Sequence, residues 1–171
     1  MKHFCFLIVF FFTNTILANE INYLLDTGDT IQIKVYGEEA LSLETKIGRS
    51  GKLNYPFLGE IKISGLTEKA LQQKIYKGLK GDYLIEPTVY VTVVQYRPFF
   101  IHGEVRLPGS YSYQPGMTVN QAVAIAGGFT ERASKEKIFI FKEKNKSKQI
   151  NATLDSIVQA GDTVTVEQRF F

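Results

Sequence analysis

Between residues 30 and 36, Ile31, Ile33 and Val35 alternate with Thr30, Gln32, Lys34 and Tyr36. A period of two, rich in β-branched residues, predicts a half-buried strand. Asp26, Gly28 and Asp29 mark a turn before it, and residues 37–43 read as an exposed connection. In GRSGKLNYPFLGEIKISG, Ser50-Gly51 signals a turn, and residues 53–57 and 60–63 read as short strands separated at Gly59. Pro56 has no N–H to donate to a ladder and so belongs at an edge or a strand end. The period then changes. In LTEKALQQKIYKGLKG, Leu71, Ile75 and Leu79 recur every four residues as one apolar stripe, with Lys69, Gln72, Gln73 and Lys77 facing water. That is a helix, with Thr67 as N-cap, Glu68 in the first turn where the dipole favours it, and Gly81 as its stop. After Pro87, TVYVTVVQY has no breaker and is predicted to be the longest strand.

Pro98 opens a second half with the same grammar. FFIHGEV reads as a strand, RLPGS as a turn, SYSYQ as a short return and PG as a second turn. TVNQAVAIAGG is a second helix in which Thr118 and Gln121 fit a capping box. Val119, Ala122, Val123 and Ala126 form its buried side, placing it flat on a sheet, and Gly127-Gly128 ends it. The four central residues of KIFIFKE are all apolar, which predicts a central strand covered on both faces. KNKS reads as a hairpin tip and AGDTVTVEQ as a closing strand. TGDTIQIKV and AGDTVTVEQ echo each other: Gly-Asp-Thr, then alternating β-branched residues. The echo predicts two related small β-rich units, each with one helix, in an α+β fold.

Composition narrows this picture only a little. With 171 residues, 44% hydrophobic and 22% charged, the chain has an ordinary globular balance. A net charge of +3, without an Arg-rich run or an aromatic RNA-reading motif, gives no ground for a nucleic-acid partner. The opening MKHFCFLIVFFFTNTILA changes more. A short positive head, an apolar run over residues 4–12 and a small residue at Ala18 have the layout of a secretory signal peptide cut after Ala18. The other reading of the run is an uncleaved anchor, for which it is short. Cys5 lies inside the run and not at a cleavage point, so no lipid anchor is expected. The secreted chain would have no cysteine, one histidine (His102) and a net charge of +2.

No catalytic constellation emerges. His102 has no second histidine for a metal cluster, and Ser110 and Ser112 lie near it in sequence only. Glu38 and Glu39 read as a solvated loop pair. Glu104 has Arg106 two residues on and is expected to brace the turn with it. GRSGK and Gly127-Gly128 fit neither the Walker pattern nor the dinucleotide fingerprint, and the latter ends a helix where an anion cradle would open one. Lys135, Lys137, Lys142, Lys144, Lys146 and Lys148 cluster on one predicted hairpin. They suit a solvated hairpin guarding an apolar strand, or attraction to an anionic partner. Tyr90, Tyr96, Tyr111 and Tyr113 sit on predicted strands, where a tyrosine suits a half-buried sheet and also a sugar ring. No enzyme activity, cofactor or metal is implied.

The run HGEVRLPGSYSYQPGMTVNQAVAIAGGFTERASKEKIFIFKE resembles the soluble-ligand-binding β-grasp repeat of bacterial polysaccharide export proteins. Gly103, Glu104, Val105, Pro108, Gly109, Tyr111, Pro115, Gly116, Ala126, Gly127 and Gly128 carry the likeness. LLDTGDTIQIKVYG, GRSGKLNYPFLGEIKISGLTEKALQQKI and EPTVYVTVVQY resemble the export domain that precedes this repeat in the same family. The resemblance implies a signal peptide over 1–18, an export domain over 19–97 and a β-grasp ligand-binding domain over 98–171. GEVRLPGSY is then a hairpin bend in which Gly103 and Gly109 supply backbone freedom and Pro108 stiffens the turn. It implies a periplasmic protein associated with the outer membrane, forming a homo-oligomeric ring around a passage for capsular polysaccharide or exopolysaccharide. Its partners would be the polysaccharide and an inner-membrane polysaccharide co-polymerase. Arg106, Tyr111 and Tyr113 are the candidate polysaccharide contacts. Larger relatives end in an amphipathic pore helix, whereas this sequence ends in EQRFF, so a separate outer-membrane channel is expected to complete the path. The alternative is a periplasmic module that binds a sugar or small ligand without a pore. A hydrolase or lyase is a more distant reading, and oligomeric size separates the first two.

Overall fold

A computed structural model describes residues 23–143 and 145–169, Lys146 by its backbone alone. The signal peptide, Cys5 and Lys144 lie outside the described residues. Within them the chain is a β-rich α+β fold with two helices.

The first half places β1 (Thr30–Val35) between β2 (Leu43–Lys46) and β5 (Val89–Gln95) in an antiparallel sheet of order β2-β1-β5. β3 (Lys52–Tyr55) and β4 (Gly59–Lys62) form a separate hairpin. Its turn contains Pro56 and Phe57, and Phe57 adopts φ 62°, so residue 57 lies past the strand end. Helix α1 (Glu68–Leu79) is capped as its sequence predicts: the Thr67 hydroxyl accepts from the Ala70 N–H at 3.1 Å. Leu71, Ile75 and Leu79 are fully buried and share a core with Ile31, Ile33, Ile63 and Val91. Strand β2 corrects the sequence reading. LETK lacks the β-branched alternation that marks a strand, and pairing with the free edge of β1 supplies what propensity does not. The connection over 37–43 is not wholly exposed either. It contains a 3₁₀ turn (Glu39–Leu41) that buries Leu41.

The second half is a five-stranded sheet of order β7-β6-β10-β8-β9. It comprises β6 (Phe99–Gly103), β7 (Gly109–Tyr111), β8 (Ala133–Lys142), β9 (Asn145–Ala152) and β10 (Thr163–Gln168). β10 runs parallel to β6 and antiparallel to β8. Helix α2 (Val119–Ile125) has the full capping box between Thr118 and Gln121, and its buried Val119, Ala122 and Val123 share a core with Phe99, Ile101, Ile140 and Val164. Three expectations are corrected. The longest strand is β8 with 10 residues, not β5 with 7, because the polar stretch from Ala133 extends the ladder beside β10. The centre of the sheet is β10. β8 buries Ile138 and Ile140 on one face while Phe139 and Phe141 on the other stay half-buried. The hairpin tip is tighter than KNKS, since Asn145 already pairs with Lys142.

Candidate functional site

The motif hairpin is built around one close backbone approach. Gly103 has φ 89°, and a Cβ there would lie 2.1 Å from the Val166 carbonyl oxygen of β10. Only glycine fits without shifting the backbone. The chain then leaves β6 with the Glu104 N–H donating to that same carbonyl at 2.9 Å. Residues 106 and 107 dock on the end of α2: the Arg106 N–H donates to the Gly128 carbonyl at 3.0 Å, and the Leu107 N–H to the Ala126 carbonyl at 2.9 Å. The two halves of the motif, Gly-Glu-Val and Ala-Gly-Gly, are therefore one structural unit. Gly127 and Gly128, at φ 79° and 89°, end the helix, with the Gly128 N–H donating back to the Val123 carbonyl at 2.9 Å.

The sequence-predicted site residues separate here. Arg106, Pro108 and Gly109 are exposed. Tyr111 is half-buried, its ring 6.0 Å from Phe99 and its hydroxyl donating to the Leu107 carbonyl at 2.6 Å. Tyr113 is only 4% exposed and turns inward, away from the motif surface. Gly109 does not supply backbone freedom, since it lies in β7 without a positive φ, and an added Cβ would meet only Tyr111 at an ordinary 3.7 Å. Glu104 does not brace Arg106: its carboxylate accepts from the Thr130 hydroxyl, and among the described residues no ion pair joins it to Arg106. The lysine cluster is partly committed. Lys142 binds Asp162 at 2.7 Å and Lys135 sits 5.9 Å from the Phe129 ring centroid. The His102 ring meets the Thr165 hydroxyl at 3.1 Å and neither serine of the hairpin. Among the described residues, no three His, Cys, Asp or Glu side chains are grouped to hold a metal ion.

Sequence reading missed the seam between the two halves, although the echo pointed at it. Asp29 and Asp162, the acids of the two Gly-Asp-Thr runs, are the buried polar or charged side chains among the described residues. Each closes the same turn. Asp29 accepts from the Asp26 N–H at 2.8 Å, and Asp162 from the Gln159 N–H at 2.9 Å. Each also meets a cation. Asp162 takes Lys142 from its own half. Asp29 takes Arg97, which donates through its backbone N–H at 2.8 Å and through Nη1 at 2.9 Å. The same guanidinium donates to the Tyr23 hydroxyl at 2.6 Å and reaches Glu143 at 2.9 Å. Arg97 thus bolts the first half to the end of β8. Tyr23, Tyr96 and Tyr113 pack beside it, with Tyr23 against Tyr96 at 4.8 Å and Tyr96 against Tyr113 at 5.7 Å. Burial, followed by the hydrogen bond to the Asp29 carboxylate, pushes the Tyr23 phenol far above its ordinary value. Burial also raises Tyr96 and Tyr113. Burial disfavours the Arg97 charge, but Asp29, Tyr23 and Glu143 together hold it above its ordinary value.

Two family models match in tandem: polysaccharide biosynthesis/export protein over residues 17–94, and the SLBB domain over residues 98–151. The chain belongs to the polysaccharide biosynthesis/export protein family. The export match spans β1 to β5 with α1. The SLBB match spans the motif hairpin, α2 and β8, and Arg97 lies between the two. Among curated proteins, the chain is 35% identical to the exopolysaccharide production protein ExoF of Rhizobium meliloti (strain 1021), covering 72% of this chain and 28% of that protein. It is 26% identical to the polysialic acid transport protein KpsD of Escherichia coli, covering 76% and 24%. It is also 26% identical to the EPS I polysaccharide export outer membrane protein EpsA of Ralstonia nicotianae (strain ATCC BAA-1114 / GMI1000), covering 90% and 49%. The chain therefore spans between about a quarter and a half of the length of these relatives. Among the described residues of this export-family chain, no helix is long and apolar enough to cross a membrane.

Proposed function

We propose that this chain is a periplasmic component of a capsular polysaccharide or exopolysaccharide export system, associated with the outer membrane. In this reading it forms a homo-oligomeric collar that guides polymer, with an inner-membrane polysaccharide co-polymerase on one side and a separate outer-membrane channel on the other. The observation that carries the reading is the tandem match of an export segment and an SLBB segment to one chain whose two halves are tied through Arg97, which pairs with buried Asp29 in the first half and with Glu143 in the second. Such a tie lets both halves move as one wall element. Residues 19–97 act as the export unit and residues 98–171 as a β-grasp-like ligand-binding unit. A five-stranded sheet with one parallel pair and one helix on its face supports that description. Arg106 and Tyr111, at the motif surface, are the polymer contacts of the second unit. Tyr113 is buried and serves the seam instead. The catalytic role is nil, and the envelope location follows a signal peptide cleaved after Ala18.

Two measurements test this. Light scattering of the secreted chain should give a mass many times that of the monomer, and deletion of the gene should lower surface polysaccharide. A strictly monomeric chain that binds saccharide would favour the module without a pore. Unchanged surface polymer after deletion would remove the export role.

A further inference from the structure

The first half carries a surface that neither core nor the motif hairpin uses. Alternation along β1 and β5 buries Val35 and Val89 and turns their neighbours Lys34 and Tyr90, paired across the ladder, to solvent. Tyr36 follows on the same side, its N–H donating to the Thr88 carbonyl at 2.9 Å. Tyr36 is 84% exposed and Tyr90 58%. Among the described residues neither hydroxyl has a hydrogen-bond partner, so neither ring is held there by the needs of the fold. An open cleft of about 600 Å³ lies between them, rimmed by Lys34, Glu38 and Glu39. A second cleft of about 270 Å³ also has Tyr90 in its lining, together with Gln72, Gln73 and Tyr76 of α1. Tyr90 belongs to both, so the two clefts adjoin at its ring and make a track of neighbouring sites.

The groups along this track match a sugar chain. A pyranose offers an apolar C–H face to an aromatic ring and a rim of hydroxyls to carboxylates and amides. The charge balance selects among sugars. Two carboxylates, Glu38 and Glu39, line the larger cleft with one ammonium, Lys34. Next to the smaller one, the Lys80 ammonium is already paired with Glu86 at 2.7 Å, and Glu86 also accepts from the Tyr76 hydroxyl. Among the lining residues of the two clefts the carboxylates outnumber the single ammonium, and like charge would repel an acidic polymer. We propose that this track binds an uncharged segment of the exported polysaccharide, with Tyr36 and Tyr90 stacking on its rings and Glu38, Glu39, Gln72 and Gln73 bonding its hydroxyls. The proposal rests on the export reading above and adds a site and a substrate class to it.

The probe is a set of short partial-hydrolysis fragments of the producing cell's own surface polysaccharide, split into uncharged and acidic pools. These are titrated calorimetrically into the full secreted chain. The uncharged pool should bind the wild type more tightly than the acidic pool. The double variant Tyr36→Ala, Tyr90→Ala should lose about tenfold in affinity, the scale of two ring contacts. Tyr36→Phe, Tyr90→Phe should keep most of the binding, and the melting temperature of both should stay at the wild-type value because these rings are outside the cores. Undiminished binding by the alanine double variant, preference for the acidic pool, or no binding of the uncharged pool would overturn the proposal. The export reading is judged separately, by surface polymer in the deletion strain, so the two can fail independently.

Discussion

Gly103 and Gly109 look alike in the motif and differ in what they do. At Gly103 a side chain would enter the Val166 carbonyl at a positive φ, so Gly103→Ala should destabilise by more than about 2 kcal/mol. At Gly109 nothing obstructs a methyl group, and Gly109→Ala should stay within about 1 kcal/mol of wild type. Urea denaturation of the two variants checks the contrast, and similar losses in both would remove the close-approach argument. Sequence alone could not separate them, because Pro-Gly after a strand signals a turn regardless of which glycine carries the unusual backbone. The same holds for the tyrosines. Tyr111 and Tyr113 sit two apart on one predicted strand. β7 ends at Tyr111, and only Tyr111 stays at the motif surface while Tyr113 folds into the seam.

Both helices were legible with their caps, since capping is local chemistry readable from four consecutive residues. Helix α2 has only 7 residues and leans on its cap more than α1 with 12. Thr118→Ala removes the acceptor for the Gln121 N–H, leaving of the capping box only the bond from the residue 118 backbone N–H to the Gln121 side chain, and should cost about 1 kcal/mol. Thermal melts against a Thr67→Ala control, which loses a single cap bond, would measure it. Strand β2 and the first half of β8 were not legible. Their residues become strand because β1 and β10 present unpaired edges, and that offer comes from residues distant in sequence.

Across the whole molecule the seam decides coupling. Asp29 is fully buried and Arg97 nearly so, with side-chain exposures of 0% and 12%. Arg97→Ala leaves Asp29 charged without its partner, which should cost about 3–5 kcal/mol. Limited proteolysis of that variant should open the chain near residues 97–98 sooner than in the wild type; an unchanged cleavage pattern would mean the halves do not depend on this bolt. Arg97→Lys should rescue little, since one ammonium cannot bridge Asp29, Tyr23 and Glu143 in their fixed geometry. Buried tyrosines set the alkaline limit. Burial pushes Tyr55 up to about 12, and its hydroxyl donates to the Leu41 carbonyl at 2.6 Å. A raised folded value means the folded chain holds protons that the unfolded chain releases. The associated stability is therefore complete below pH about 10 and is lost as pH climbs from there toward 12. Tyr23, Tyr96 and Tyr113 act in the same direction. Urea midpoints should be flat to about pH 10 and fall above it, less steeply in Tyr55→Phe.

Periodicity, caps and turn residues made the two units, their helices and the motif hairpin readable along the chain, because each depends on neighbours a few positions apart. The Gly-Asp-Thr echo was readable too, as two similar strand starts. Its consequence was not. Arg97 stands 68 positions from Asp29 and 46 from Glu143, and only folding brings the three together. The same is true of the exposed face shared by Tyr90 on β5 and Tyr36 just past the end of β1, which the β1–β5 ladder and not adjacency brings together. Local backbone chemistry acts over one turn of chain, whereas burial of charge and exposure of rings are settled by whatever surface the rest of the fold lays against them.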